Sequence, residues 1–310
     1  MKTDDKAQPQ RFSCTRCGRC CNRGPEIELG EATALADHLI TRLLLKVHSL
    51  PLYGNSMRAV RWVEGQGSSL AASAALDEKR DHLKRLCAHT SIDRSQGLSL
   101  HLEISALTVD RQVGRCSALT DDICGIYDIR PFSCRAVPLH YSKALSTLPA
   151  GLRNFVATPG YLCDTTANAA VLIDDGTVID ATYTRARADA IRRCEADHRW
   201  KAGIVSAMLA QESAAEAGLP SYRDVIAHSK AGSATLVSML IAWRVAKNLG
   251  LLSQSIFRDL CAEQASLIAS SLEFAREEER RTDLHDMLAD YEIELAIDQH
   301  SAAGLRGGGH

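Results

Sequence analysis

With 310 residues, 45% of them hydrophobic and 24% charged, the chain has the makeup of a soluble globular protein, long enough for one large domain or two modest ones. A formal net charge of −2 gives no reason to expect nucleic acid or an anionic membrane as a partner, and aromatic residues at 5% are too few for a base-stacking surface. The polar opening, Met1 to Gln10, lacks the apolar core of a signal peptide, and the most apolar later run, Leu236 to Val245, is about half a membrane span and contains Arg244. The expectation is therefore a cytoplasmic protein with no membrane span, in which thiols stay reduced and clustered cysteines serve as ligands rather than disulfides.

Residues 1–11 read as a disordered lead-in. Directly after them, Phe12-Ser13-Cys14-Thr15-Arg16-Cys17-Gly18-Arg19-Cys20-Cys21 places four of the eleven cysteines within eight positions. Gly24-Pro25 breaks the chain, and Glu26-Ile27-Glu28-Leu29 alternates as a short strand does. From Glu31, Leu35, Leu39, Leu43 and Val47 recur at a helical spacing that predicts a helix ended by Pro51. Residues 53–97 read as an insertion: a loop through residue 75, then an amphipathic helix over 76–90 with Leu83, Leu86 and Cys87 facing inward. Residues 98–104 alternate strictly and predict a half-buried strand.

A second cysteine run follows, with Cys116, Cys124 and Cys134, the last two joined by Gly125-Ile126-Tyr127-Asp128-Ile129-Arg130-Pro131-Phe132-Ser133. Cys163 comes after the turn signal Thr158-Pro159-Gly160. Residues 170–173 and 177–179, separated by Asp174-Asp175-Gly176, predict a small β-hairpin. From 181 to 299 the texture is helical, with stripes at Leu236, Leu240 and Trp243, at Ile256, Leu260 and Leu267, and at Leu284, Leu288, Tyr291 and Leu295, broken at Gly218-Leu219-Pro220 and Gly250. The sequence thus predicts an α+β protein, mostly α: a cysteine-rich metal-binding module with a few short strands over 12–180, a helical bundle over 181–299 and a flexible tail over 300–310.

Eight cysteines fall into the two runs and their sequel: Cys14, Cys17, Cys20, Cys21, Cys116, Cys124, Cys134 and Cys163. A Cys-x-x-Cys step turns two thiolates toward one ion over a short loop, which is the physical reason the spacing recurs in zinc and iron–sulfur sites. Cys14, Cys17 and Cys20 have the spacing of the first three ligands of a ferredoxin-type run, favouring a [4Fe–4S] cluster; four of the eight would equally satisfy zinc. Cys20 and Cys21 diverge as neighbours do and suit bridging, separate ions, or the binding of only one. Arg16, Arg19, Arg115, Arg130 and Arg135 either offset thiolate charge or lie on the surface, and His140 is an alternative ligand. Pro131 forces Arg130 to be extended just before Cys134. Cys87, Cys194 and Cys261 read as small buried hydrophobes.

With both halves quoted, Phe12-x-Cys14-x-x-Cys17-Gly18-x-Cys20-Cys21 and Gly114-x-Cys116 to Cys124-x-Ile126-Tyr127-x-x-Arg130-Pro131-x-x-Cys134-Arg135-x-x-Pro138, the chain resembles the YkgJ-type cysteine-cluster proteins over roughly residues 12–165. Ile27, Leu29 and Glu31 fit the order of that domain; the longer link between the cysteine runs departs from it. The resemblance implies a zinc- or iron-chelating domain with a structural or redox role. One branch is similar to flagellin lysine N-methylases, which implies the alternative of a protein lysine N-methyltransferase using S-adenosylmethionine, although no Gly-x-Gly-x-x-Gly fingerprint is present. A third reading is an adaptor that docks a protein partner through its C-terminal helices.

Overall fold

The computed structural model describes residues 8–21, 24–52, 69–110, 115–211, 218–230 and 232–306. Most of the expected loop over 53–75 lies outside the described residues. The architecture is mixed α+β, mostly α, with a helical C-terminal region, as the sequence predicts. The chain divides into two units, one built from residues 1–20, 47–103 and 120–196, the other from 21–46, 104–119 and 197–310.

In the first unit, the segment ahead of the cysteines is ordered rather than a loose lead-in from its tenth residue on. Gln10–Arg11 pairs with Val171–Asp174, which turns back onto Thr177–Val178. Asp175 and Gly176 adopt φ of 44° and 75°, the left-handed pair that a two-residue hairpin turn with right-twisted strands requires. The predicted hairpin is therefore present. Phe12, Leu139, Leu148, Leu152, Leu172 and Ile173 close a core under this sheet, with Cys163 and Tyr183 packed against it. A second layer forms where Leu50, Leu76, Leu83 and Cys87 meet, and a third from Leu86, Tyr141, Ala190 and Cys194. Leu83, Leu86 and Cys87 face inward as expected, and Cys194 is buried too. The guanidinium of Arg187 is buried among carbonyls, donating to Leu139, His140 and Lys143 and so fixing the turn they form.

The helix expected over 76–90 starts earlier and stops sooner, spanning Ser69–Leu86, because His89–Asp93 pairs as a strand with residues 98–102. The strand predicted over 98–104 extends to Thr108 and is buried along nearly its whole length instead of being half-buried. Its alternate polar residues are enclosed, so they bond to one another. Glu103 Oε2 lies 2.5 Å from His48 Nε2. Ser99 donates to the Leu50 carbonyl and therefore accepts from His101 Nε2 at 3.1 Å, leaving His101 Nδ1 to accept from the Thr90 hydroxyl. His101 is 1% exposed, and burial, followed by the positive charges of His48, Arg80 and Lys84, depresses its pKa to about 4.

That depression makes stability pH-dependent. Above about pH 6.5 the imidazole is neutral folded or unfolded; between that value and the folded value the unfolded chain takes up the proton first, which favours unfolding. Denaturant titrations should therefore show this contribution intact at neutral pH and lost as pH falls toward 4, with a loss on the order of 2 kcal/mol after allowance for screening. A His101→Gln chain, which has nothing to titrate at this position, should show a correspondingly flatter profile; an unchanged slope would refute the assignment.

The second unit corrects the largest expectation, the helix over 31–47. Helix is confined to Leu29–Ala34, and Thr41–Pro51 is a strand that pairs antiparallel with Thr235–Ser238, Leu45 opposite Thr235 and Arg42 opposite Ser238. A spacing of four fits a helical stripe, but it is also an even number of residues and so repeats on one face of a strand. Leu43, Leu44 and Leu45 are all buried, which a one-faced helix would not produce. For the same reason Leu236 belongs to a strand, 40% exposed, rather than to a stripe with Leu240 and Trp243. Glu26–Ile27 is a strand as predicted, paired with Leu107 and Ala106 of the buried strand.

The remaining helices of this unit are His198–Ala210, Tyr222–Lys230, Met239–Asn248, Gln254–Leu272 and Glu278–Arg306. The last two pack along one another, and the final helix runs past residue 300, where the tail was expected to begin. The buried face of Gln254–Leu272 carries Phe257, Leu260, Cys261, Gln264 and Ile268; Ile256, expected on that stripe, is 48% exposed. Gln264 is wholly buried because its amide is used up, donating to Ala36 and Leu39 carbonyls and accepting from the Thr41 N–H. No described helix is long and apolar enough to cross a membrane.

Candidate metal centre

The first cysteine run is held at its root. Phe12 is buried in the core and its N–H donates to the Ala170 carbonyl at 2.9 Å, while Ser13 and Asp164 exchange backbone hydrogen bonds of 2.8 and 3.1 Å. This pairing brings the segment carrying Cys163 alongside the one that leads to Cys14. Beyond Ser13 the backbone is left-handed at two positions, Arg16 with φ 59° and Gly18 with φ 67°. A Cβ on Gly18 would sit 2.4 Å from the Asp122 carbonyl oxygen, so only glycine lets this loop lie against the turn that precedes Cys124. That turn has its own left-handed pair, Asp121 and Asp122 with φ of 49° and 64°. Thr15 Oγ1 reaches the Leu162 carbonyl at 2.9 Å, a further tie to the residue before Cys163.

These constraints bring Cys14, Cys17, Cys20 and Cys163 within one electrostatic neighbourhood. The Cys163 thiol is pushed up to about 11 by burial and then by the negative charge of Cys20, Cys14 and Cys17. Cys17 is driven the other way overall. Burial raises it, but hydrogen bonds from Thr15 and from the backbone of Arg19 and Leu162 outweigh burial and the Cys20 charge, so its pKa is lowered. Cys14 is exposed, and the other three are half-buried. A neighbour of the group, Tyr183, packs edge-on to Phe12 at 6.3 Å; its hydroxyl is pushed up by burial first, then by Cys14 and Asp180, with Arg130 pulling back.

The second run enters the same unit through Cys124, which ends the short strand Ile123–Cys124, and Cys134, in the one-turn helix Phe132–Arg135. Pro131 is the N-cap of that turn, extended at φ −54° and ψ 153°, and Arg135 folds back to donate to the Arg130 and Asp128 carbonyls at 2.8 and 3.3 Å. Cys21 and Cys116 belong to the second unit, where the Cys116 N–H donates to the Cys21 carbonyl at 3.0 Å. His140, the alternative ligand, has Nδ1 2.8 Å from Ser142 Oγ and its ring stacked on Tyr141.

Sequence reasoning placed Tyr127 in the motif of the second run but gave it no role, and it did not single out Tyr183. The guanidiniums of Arg16 and Arg130 lie over the Tyr127 ring at 4.2 and 4.0 Å. Tyr183 carried no local signal at all, because its place depends on Phe12, far away in sequence.

The donor set fits a thiophilic ion by its chemistry. Cys163 shares a partly exposed neighbourhood with Cys20, Cys14 and Cys17, whose negative charge opposes its ionisation, and a cation would relieve that opposition. Among the described residues no three His, Cys, Asp or Glu side chains already stand as a metal ion would hold them.

Residues 13–151 match the family model CxxCxxCC, described as "Putative zinc- or iron-chelating domain". No curated protein and no solved structure matches the chain.

Proposed function

We propose that the chain, whose residues 13–151 match this CxxCxxCC family model, binds metal through thiolates of Cys14, Cys17, Cys20 and Cys163, with Cys124 and Cys134 as the donors the second run brings to the same unit. The observation that supports this reading is the pairing of Ser13 with Asp164 and of Thr15 Oγ1 with the Leu162 carbonyl, which brings Cys163 beside the first run, where the charges of Cys20, Cys14 and Cys17 add to burial in pushing its thiol up. Cys21 and Cys116, the other two candidate ligands, are held to one another by a backbone hydrogen bond in the second unit. The ferredoxin-like spacing of Cys14, Cys17 and Cys20 favours a [4Fe–4S] cluster over zinc. When bound, such a group supplies a structural staple or a one-electron carrier; the chain's own part is to hold the thiols, to donate N–H groups toward Cys17 and to place guanidiniums nearby.

Anaerobic purification followed by metal and sulfide analysis and a visible spectrum tests the reading. The expected result is a coloured protein with stoichiometric iron and acid-labile sulfide. Colourless protein with stoichiometric zinc would sink the iron–sulfur assignment, and protein that takes up neither metal would sink the site.

A further inference from the structure

We propose that Tyr127 is a positioning residue, a latch that uses Arg16 and Arg130 to clip the first cysteine loop onto the second. Arg16 sits between Cys14 and Cys17, in a left-handed conformation that a residue with a side chain keeps only when its surroundings hold it there. Its own N–H lies 3.4 Å from Cys14 Sγ, so the orientation of that backbone fixes a donor toward one of the thiols. Its guanidinium lies over the Tyr127 ring, at 4.2 Å. On the other side, Arg130 closes on the same ring at 4.0 Å, and its carbonyl accepts from Arg135, the neighbour of Cys134. One aromatic ring thus joins the backbone around Cys14 to the backbone around Cys134, although the two lie 120 residues apart in sequence (134 minus 14).

The choice of side chains suits the task. Two guanidiniums beside a ring are held by its quadrupole without a carboxylate, so they keep their positive charge for the thiolates instead of having it neutralised by a salt bridge. Tyr183 reports the same juxtaposition, since Cys14 and Arg130 both act on its hydroxyl. The geometry stands without a metal; its consequence for metal retention rests on the reading proposed above.

Two measurements on the full chain test the latch, with zinc as the probe ion. Hydrogen exchange in the metal-free protein reads the mobility of the amides of residues 15–19, and a chromophoric chelator reads the rate at which loaded zinc is released. Tyr127→Leu and Arg16→Leu should each speed both by about tenfold, the effect of losing one or two cation–π contacts, while Tyr127→Phe, which keeps the ring, should stay within about twofold of wild type. Wild-type rates in Tyr127→Leu would overturn the proposal, as would a Tyr127→Phe chain that behaves like Tyr127→Leu, since the hydroxyl would then be the active part. Arg16 is exposed, so its variant decides the matter if Tyr127→Leu fails to fold. If wild-type protein takes up no zinc, the release measurement drops out and the exchange rates alone decide the latch.

Discussion

Serine in place of Cys17 or Cys163 is expected to strip the bound metal from the chain. A hydroxyl stays protonated where a thiol ionises, so either substitution removes an anionic donor from a group whose members already feel one another's charge. Losing a residue that merely supports a ligand costs metal sites about 10–100-fold in affinity, and loss of a donor should exceed that. Because binding stabilises the folded state by mass action, a 100-fold weaker site forfeits about 3 kcal/mol of metal-dependent stabilisation at saturating metal. Melting curves with and without added metal should coincide for Cys17→Ser and separate for wild type. The matched control is Cys87→Ser, whose thiol is 8% exposed in a layer of leucines; it should lower stability yet retain the metal. A Cys163→Ser chain with a full metal complement and the wild-type rise in melting temperature would remove Cys163 from the site.

Metal-free protein should nevertheless keep the fold of the first unit. The platform beneath the thiols is Phe12, Leu139, Leu148, Leu152, Leu172 and Ile173, a core that closes through apolar contact alone. The cysteine loop rests on that platform through Phe12 and the Ser13–Asp164 bridge. Order lost on chelation is therefore expected to be local to residues 14–21 and to the Cys163 segment.

What the sequence makes legible here is local chemistry. The Cys-x-x-Cys spacing marks donors because two residues between thiols set their reach, and Asp175-Gly176 marks a hairpin because the turn itself demands left-handed backbone. The errors come where one pattern serves two structures. Leu35, Leu39, Leu43 and Val47 repeat every four residues, which suits a helix and one face of a strand alike; the partner strand Thr235–Ser238, nearly two hundred residues later, decides between them. Likewise, strict alternation over 98–104 signals a strand but not whether its polar face meets water, and Ser99, His101 and Glu103 turn out to be enclosed. Tyr127 stood in the second-run motif without a role for a related reason: the two arginines over its ring come from different loops, and no spacing records that.

In the second unit, Lys201→Met is expected to destabilise the protein by about 3–5 kcal/mol, the cost of leaving one member of a buried ion pair alone. Lys201 is 1% exposed and Glu28 is 2% exposed, and Nζ lies 2.5 Å from Glu28 Oε2. The pair sits where the chain most needs fixing, at the start of Leu29–Ala34. The Glu28 N–H donates to the Glu31 carboxylate, and the Gly30 N–H donates to Asp197 at 2.9 Å, just ahead of the helix that carries Lys201. Methionine fills much of the lysine's volume, so the cavity contribution is small and the loss reports the stranded carboxylate. The double variant Glu28→Gln with Lys201→Met separates charge from packing: once the carboxylate is neutral, most of the stability should return, giving a coupling of about 2 kcal/mol or more in a double-mutant cycle read by denaturant titration. If the double variant is as unstable as Lys201→Met alone, the lysine contributes by its packed stem rather than by its charge, and the ion pair is not what holds Leu29–Ala34 in place.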